Sequence, residues 1–225
     1  MTGSPRWRRN MCVRRSEDNL PKLLMIAGLP ASGKSTVARR LAGAFGMPAL
    51  EKDDLKEALF DTVGFRNYPE KRQLDVAANA VLLRAAGAVL DAGESLCLVN
   101  NFRRDMEDGV RAFLAAHPCR AGLLLLTGDA DVFWRRYAER DRIGARHMAH
   151  ALPDHYPLLP GEPTPDTEIS RARFREIFED LGMAEPRVGC PTLRVDMTDP
   201  DAVDFSGLTD RVSKMLGIVK GSENE

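Results

Sequence analysis

Two glycines, a lysine and neighbouring hydroxyls lie between Gly28 and Thr36 at a spacing that suits phosphate binding. They belong to the segment MIAGLPASGKSTVARRLAGAF, which passes from an apolar stretch into an amphipathic helical pattern. Gly28, four further residues, then Gly33, Lys34 and Ser35 match the P-loop pattern in its required context of strand and then helix. In such a loop, backbone N–H groups and the helix dipole converge on one anion.

The chemistry predicted for this loop is the binding of ATP with Mg²⁺. We expect Lys34 to reach the β- and γ-phosphates and the Ser35 hydroxyl to be a ligand of the metal. The nucleotide-binding residues that the pattern predicts are Gly28, Ala31, Ser32, Gly33, Lys34, Ser35 and Thr36. The alternative is a glycine-rich turn that only caps a helix, and the flanking patterns argue against it.

A second group of charged residues lies in LEKDDLKEALFD, where the second predicted strand ends. Ligands bind beyond the carboxyl ends of strands in open parallel sheets, so Lys52 and Asp53 should face the γ-phosphate. A carboxylate there could accept the proton of a substrate hydroxyl, which makes Asp53 the candidate general base of a phosphoryl transfer. Asp53 or Asp54 could instead cap the following helix. We prefer Asp53 as the base because it comes first out of the strand.

GLPASGKST followed by KDDLK resembles the small-molecule and polynucleotide kinases of the P-loop superfamily, a group that includes zeta toxins and chloramphenicol phosphotransferase. This resemblance implies Asp53 as the base and Lys56 as a contact to substrate or phosphate. The third strand, in LCLVNNFRRD, resembles that group's Walker B, where an apolar strand ends in a polar residue. Its cleft-facing candidates are Asn100, Asn101 and Arg103, although Asn101 could equally cap a turn.

Arginines dominate the run FWRRYAERDRIGARHMAH, which follows the fourth predicted strand, where P-loop kinases place a mobile lid. Arg136 and Arg140 lie four residues apart and therefore share one helix face. The resemblance implies a lid over about 135–168 whose Arg136 and Arg140 close on the transferring phosphate, with Arg146 and His147 as substrate contacts. A solvated charged helix is the ordinary alternative. The histidines at 147, 150 and 155 fit no zinc spacing, which favours lid or substrate contacts.

The elements that must position these residues alternate between short apolar runs and helical patterns, which is typical of βαβ units. Strands are predicted at 22–27, 48–51, 95–100, 120–127 and 191–197, and helices near 33–45, 55–60, 69–92, 105–117, 130–139, 170–181 and 201–216. The predicted fold class is therefore α/β: a P-loop NTPase three-layer sandwich with a five-stranded parallel sheet in the order 2-3-1-4-5 and a helical, arginine-bearing lid. The proline-rich segment 154–168 should be a flap or a linker. By the same resemblance Thr198, Asp199 and Pro200 are candidates beside the adenine, and a plain strand-to-helix turn explains them equally well.

Composition limits the classes of protein that fit. A chain of 225 residues, 44% hydrophobic, can bury one core, so we expect one kinase domain at 22–225 behind a disordered basic extension at 1–21. With 32 basic and 33 acidic residues, no overall field favours nucleic acid or an anionic membrane. The four cysteines form no CxxC pair, which suits free thiols in a reducing cytoplasm. The longest apolar run, AGLLLL, is too short to cross a bilayer.

The function predicted from these patterns is a cytoplasmic ATP-dependent kinase that phosphorylates a hydroxyl of a small organic acceptor. Two alternatives stay open. One is a regulatory nucleotide-binding ATPase that acts through a partner, and the other is a polynucleotide 5′-hydroxyl kinase, for which the arginines of 1–21 are the compositional support. The sequence specifies neither the acceptor nor the oligomeric state.

Overall fold

A computed structural model describes residues 19–143, 147–150, 154–163 and 168–218 of the chain. Five strands alternate with seven α-helices within these residues. In chain order the elements are β1 Lys22–Gly28, α1 Lys34–Phe45, β2 Ala49–Glu51, α2 Lys52–Val63, α3 Tyr68–Ala92, β3 Leu96–Val99, α4 Glu107–Ala116, β4 Arg120–Thr127, α5 Ala130–Arg142, α6 Arg171–Asp180, β5 Thr192–Asp196 and α7 Phe205–Leu216. Short 3-10 turns occupy Arg104–Met106, Met148–His150 and Pro200–Ala202.

The five strands form one parallel sheet in the order β2-β3-β1-β4-β5, which confirms the predicted fold class and strand order. The central strand β1 pairs with β3 on one side and β4 on the other, and Met25 lies between Leu98 and Leu123. Strands covered on both faces read as continuous apolar runs, which is why β1 and β4 lack alternation. Their carboxyl ends meet at one edge, where the P-loop leaves β1.

Alternate residues of the strands are buried in two separate cores, one on each face of the sheet. On one face Leu24 and Ile26 pack with residues of α1, α5, α6 and α7, including Leu41 and Phe133. On the other face the remaining strand residues pack with α3 and α4; this core contains Leu23, Met25, Leu82, Ala86, Leu90, Leu98, Val110, Phe113 and Leu123. The result is the predicted three-layer sandwich.

A third, smaller apolar cluster joins α2 and α3 to the chain that follows α5. Phe60, Phe65, Leu74 and Ala149 are buried in it, and the ring of Tyr156 packs against them. Phe65 and Tyr156 also form an antiparallel bridge in which each backbone N–H donates to the other's carbonyl at 2.8 Å. Within the predicted lid, Ala149 and Tyr156 are therefore docked on α2 and α3.

Most of the α-helices begin after a residue whose side chain caps the helix N-terminus. The side chains of Asn67, Asp129, Ser170 and Asp204 each accept a backbone hydrogen bond at the N-termini of α3, α5, α6 and α7. The helix predicted at 105–117 is instead a 3-10 turn followed by α4. Otherwise the predicted elements agree with the structure to within a few residues, apart from α2, which is longer than predicted.

Helix α3 is long and apolar enough to cross a membrane by length and composition alone. In this structure its residues Leu74, Ala78, Leu82, Ala86 and Leu90 are buried within the fold. Among the described cysteines, Cys97, Cys119 and Cys190 are free thiols, as predicted. Most of the basic extension, residues 1–18, lies outside the described residues, as do Cys12 and Arg146.

Candidate functional site

A cavity of about 930 Å³ opens at the carboxyl edge of the sheet, between the P-loop, α2 and α5. Its charged walls come from these three elements, and Phe178 of α6 supplies an apolar surface. The described residues that line it are Pro30, Ala31, Gly33, Lys34, Ser35, Thr36, Arg39, Glu51, Lys52, Asp53, Asp54, Lys56, Glu57, Asn101, Arg135, Arg136, Tyr137, Glu139, Arg140, His150 and Phe178. Most of the predicted site residues meet here.

The loop between β1 and α1 has the backbone that a phosphate cradle requires. Gly28 has φ +152°, and a Cβ there would lie 2.7 Å from the Ser32 hydroxyl and 2.8 Å from the Leu126 carbonyl oxygen. Gly33 and Ala31 also have positive φ, at 91° and 60°. Within the described residues no side chain caps α1, so its first N–H groups remain available to an anion.

Lys34 folds back over this loop. Its Nζ donates to the carbonyl oxygens of Gly28 at 3.1 Å and Leu29 at 3.0 Å. Burial, opposed by Asp53 and assisted by the positive charges of Lys52 and Arg140, lowers the pKa of Lys34 to about 8. A phosphate group beside Nζ would add negative charge and raise this pKa again.

A Mg²⁺ ion that accompanies the nucleotide would find oxygen ligands beside Lys34. Ser35, Glu51 and Asp53 line a small recess of about 20 Å³ that continues the cavity toward β3. Hydroxyl and carboxylate oxygens are ligands that Mg²⁺ prefers, and in nucleotide sites phosphates and water complete its shell. Within the described residues no cluster of His, Cys, Asp and Glu could hold a metal alone. The residues present therefore fit a nucleotide-bound metal rather than a dedicated metal centre.

Asp53 lies in the first turn of α2 and lines the cavity together with Lys34 and Ser35. Its side chain is 51% exposed, and Lys52 Nζ donates to its Oδ1 at 3.1 Å. Burial would raise the pKa of Asp53, but the positive charges of Lys52, His150 and Lys34 outweigh it and hold this pKa well below its usual range. The carboxylate is therefore ionised at neutral pH and can accept a hydrogen bond. Asp53 makes no side-chain cap on α2, because Glu51 is the N-cap residue.

Lys56 lines the same wall but is held inside the protein. Its ammonium pairs with Asp75 of α3 at 2.8 Å, and Lys71 shares that carboxylate at 3.6 Å. Both ammoniums lie over the ring of Phe60, at 5.2 and 5.6 Å from its centroid. Burial lowers the pKa of Lys56 to about 8, and Lys52 and Lys71 act in the same direction. Lys56 thus reaches the cavity as one member of a buried charge cluster.

The residues after β3 have different positions. Asn100 is buried; its amide donates to Asn79 at 3.0 Å and its Oδ1 accepts from the Asn101 N–H at 2.8 Å. Asn101 lines the cavity next to Ser35, whereas Arg103 pairs with Asp105 at 2.6 Å. The structure therefore brings Asn101 to the site and gives Asn100 a supporting position behind it.

The arginines of α5 are held differently from one another. Arg136 donates from both Nη atoms, at 2.8 Å each, to the backbone oxygens of Met197 and Thr198. Arg140 lies one turn later, lines the cavity and has no ion pair or hydrogen bond within the described residues. Thr198 accepts from the Asp129 N–H at 2.8 Å, so the turn after β5 closes against α5 beside the cavity.

The two histidines at the end of the arginine run also differ. His147 accepts from the Ala149 N–H at Nδ1 and contacts Asp61 through Nε2, each at 3.0 Å, so the protein occupies both ring nitrogens. His150 contacts Glu57 at 2.7 Å through Nε2 and lines the cavity. His155 pairs with Glu162 at 2.9 Å. The predicted substrate contact Arg146 lies outside the described residues.

A family model described as an AAA domain matches residues 23–152. The chain belongs to this AAA domain family. The matched range takes in β1, the P-loop, α2 and α5, and it therefore contains Lys34, Asp53, Arg140 and His150. Helix α6, β5 and α7 follow the matched range in the chain.

Part of this AAA domain protein is 30% identical, over 122 residues, to the ATP-dependent protease ATPase subunit HslU of Bradyrhizobium sp. strain ORS 278. That likeness covers 46% of this chain, and the chain spans only 28% of the length of the curated relatives it matches. It therefore concerns one segment of HslU.

Two solved structures extend the likeness to nearly the whole chain. A candidate kinase from Chloroflexus aurantiacus J-10-fl superposes with a TM-score of 0.71 and 27% identity, over 87% of this chain and 98% of that one. The Mycobacterium tuberculosis APS kinase CysC, solved with AMPPNP and APS, superposes with a TM-score of 0.53 and 19% identity, over 88% and 98%. The AAA domain protein therefore has a kinase-like P-loop fold. The narrower resemblance to zeta toxins and chloramphenicol phosphotransferase stays a prediction.

Glu51 and Glu57 line the cavity although no motif marks them. Glu51 is the last residue of β2, so its place at the carboxyl edge of the sheet follows once that strand is recognised. Glu57 lies four residues after Asp53 and therefore shares its helix face. Phe178 has no comparable signal, because α6 reaches the cavity only through tertiary packing.

Proposed function

We propose that this protein is a kinase that transfers the γ-phosphate of ATP, with Mg²⁺, to a hydroxyl of a small organic acceptor. The observation that carries the proposal is the position of Asp53: an ionised carboxylate lines the same cavity, and the same small recess, as the P-loop lysine Lys34. An ATPase that only hydrolyses nucleotide needs a positioned water, whereas a kinase needs a group that accepts the hydrogen bond of an acceptor hydroxyl.

The nucleotide half of the proposed reaction uses the loop and α1. The backbone N–H groups of the loop and the start of α1 would hold the β- and γ-phosphates, and Lys34 would move from its carbonyl partners to the phosphates. Ser35 would hold Mg²⁺, and Glu51, which lines the same recess, would orient its water ligands. The metal would neutralise the charge that develops on the transferred group.

The acceptor half lies on the α2 side of the cavity. Asp53 would orient the acceptor hydroxyl, and Asn101 and the Lys56 side chain provide polar contacts on the same wall. Arg140 would approach the transferring phosphoryl group from α5, since the described protein gives it no other partner. Arg136 would fix the position of α5, because both of its Nη atoms already donate to the turn after β5. A cavity of about 930 Å³ can hold a nucleotide tail together with a small acceptor.

The experiment is a measurement of ADP formation from MgATP with a panel of hydroxylated acceptors: sugars, sugar acids, nucleosides and a 5′-hydroxyl oligonucleotide. Asp53→Asn should leave ATP affinity, measured by calorimetry, within a few-fold of the wild type and should lower transfer by about 10²- to 10⁴-fold. Asp54→Asn is the matched control, because that neighbouring carboxylate lies on the same helix turn. Lys34→Ala should abolish transfer.

ADP formation that no acceptor accelerates, and that Asp53→Asn does not change, would refute the kinase and favour the regulatory ATPase. Transfer to the oligonucleotide alone would identify a polynucleotide kinase.

A further inference from the structure

Three carboxylates form a stripe along one face of α2. Asp53, Glu57 and Asp61 follow one another at intervals of four residues and therefore project from the same side of the helix. The chain that follows α5 docks on this stripe: His150 contacts Glu57 at 2.7 Å, His147 contacts Asp61 at 3.0 Å, and the Tyr156 hydroxyl donates to Asp61 at 2.7 Å. Asp53, the first member, is the one that faces the predicted γ-phosphate position.

His150 differs from His147 in what its second nitrogen can do. A carboxylate only accepts hydrogen bonds at neutral pH, so the contact with Glu57 assigns the proton of the neutral His150 ring to Nε2. Nδ1 then carries a lone pair and has no hydrogen-bond partner within the described residues. The ring is 16% exposed and lines the cavity on the same wall as Asp53. A histidine whose far nitrogen is fixed by a carboxylate is the usual arrangement of a proton acceptor.

We propose that His150 receives the proton that the acceptor hydroxyl gives up, with Glu57 holding the ring in the required tautomer. The inference rests on the proposed kinase function. In the step, the hydroxyl oxygen bonds to the γ-phosphorus while the bond from that phosphorus to the bridging oxygen of ADP breaks. The hydroxyl proton passes to Nδ1 of His150, which becomes an imidazolium paired with Glu57. The proton is released to water after the product leaves.

The charges around the ring favour His150 over Asp53 as the acceptor of this proton. The groups of α2 that face His150 are the carboxylates of Asp53 and Glu57 and the ammoniums of Lys52 and Lys56, with Asp75 and Lys71 of α3 behind Lys56. Burial lowers the pKa of His150 below its ordinary value, against the pull of Asp53 and Glu57, so the ring is neutral and able to accept at pH 7. Asp53 is poorly basic by comparison, because its cationic neighbours hold its pKa far lower.

The test uses MgATP with water as the acceptor, so that no natural substrate is needed. Turnover by the full-length protein is followed between about pH 5 and pH 9. In the wild type the rate should fall on the acid side as His150 becomes protonated, below about pH 6.5. His150→Gln should lower the rate at pH 7 by about 10²-fold and should abolish that acid limb. Glu57→Gln should move the limb to lower pH, because the imidazolium loses its carboxylate.

His147→Gln is the matched control, because it removes the neighbouring histidine–carboxylate contact while leaving His150 in place. Whatever its effect on the rate, this variant should keep the acid limb. Thermal unfolding of each variant checks that the fold is retained. Imidazole ¹⁵N spectra give a readout that needs no turnover: the His150 signals, assigned with His150→Gln, should report the Nε2-protonated neutral ring at pH 7.

An acid limb that persists in His150→Gln, or an Nδ1-protonated ring, would overturn the assignment of His150 while leaving the kinase proposal intact. Turnover that His150→Gln does not lower would do the same. If the folded wild type turns over no MgATP with water or with any acceptor of the panel, the proposed function fails, and the inference fails with it.

Discussion

The buried charge cluster behind the cavity gives a prediction about stability that can be worked through in detail. Asp75 is the carboxylate shared by Lys56 and Lys71, whose side chains are only 8% and 6% exposed. Asp75→Asn keeps the shape of the side chain but removes its negative charge. We therefore expect two buried ammoniums to lose their counter-ion, which destabilises the folded state.

The size of the effect follows from the pKa of Lys56. Burial lowers this pKa from its ordinary value of 10.5 to about 8. In the variant Lys56 can avoid an unpaired charge by losing its proton, and starting from a pKa of about 8 this costs about 1.4 kcal/mol at pH 7. Asp75→Asn also weakens the longer contact with Lys71 and removes the charged hydrogen bond from Lys56. Together these effects bring the expected loss in the free energy of unfolding to about 2–3 kcal/mol.

The pH dependence has a definite sign. The pKa of Lys56 is lower in the folded protein than in the unfolded chain. Between about pH 8 and pH 10.5, Lys56 is therefore protonated in the unfolded chain but neutral in the folded protein. Lys56 is therefore already neutral in the folded protein at about pH 9.5, and its share of the loss disappears there. Asp75→Asn should then cost only about 1 kcal/mol.

The assay is urea unfolding of wild type and Asp75→Asn at both pH values, with Asp105→Asn as control. Asp105 forms an exposed pair with Arg103, so its substitution should cost less than about 1 kcal/mol at either pH. In the double variant Lys56→Met/Asp75→Asn, much of the loss should be recovered, since one buried ammonium is gone. Equal losses for Asp75→Asn at the two pH values would refute the reasoning.

Two further predictions concern the arginines of α5 and the first glycine of the P-loop. Arg140→Ala should lower kcat by about 10²- to 10³-fold and change the KM for ATP much less, whereas Arg136→Ala should mainly reduce the free energy of unfolding, by about 1–3 kcal/mol. Kinetics and urea unfolding of both variants test this, and a loss confined to stability in Arg140→Ala would assign that residue to a solvated face. Gly28→Ala should disable nucleotide binding, since its Cβ would overlap Ser32 and Leu126, while Gly43→Ala, with open space around it, should be neutral or stabilising by up to about 1 kcal/mol. Calorimetric ATP titration and thermal unfolding decide this, and normal ATP binding by Gly28→Ala would contradict the strained cradle.

The sheet and the P-loop could be predicted from the sequence because their signals are local. The continuous apolar runs of β1 and β4 indicate strands buried on both faces, and the Gly28-to-Ser35 spacing fixes a phosphate loop between a strand and a helix. Asp53 and Asn101 reach the cavity for the same reason, since the carboxyl ends of parallel strands meet at one edge.

The partners of the site residues could not be predicted in the same way, because they come from distant parts of the chain. Lys56 is held by Asp75 from the next helix, and His150 by Glu57 after a separation of 93 residues. The spacing of Arg136 and Arg140 predicts that they share a helix face. It does not predict that Arg136 donates hydrogen bonds to backbone oxygens after β5. Such contacts depend on tertiary packing, for which a single sequence carries no local pattern.

The partners of the cationic side chains in the cavity distinguish those that hold the fold together from those that could bind the phosphoryl group. Lys56 is paired with Asp75, and Arg136 is held by two carbonyl oxygens, so moving either one would break contacts that the fold uses. Lys34 is bound to loop carbonyls, weaker partners that a phosphate can replace. Arg140 has no ion pair or hydrogen bond within the described residues and stands near the end of α5. A group that must meet negative charge only as the phosphoryl group transfers should be bound least in the ligand-free protein. By that criterion Arg140 is better suited to the transition state than Arg136 or Lys56.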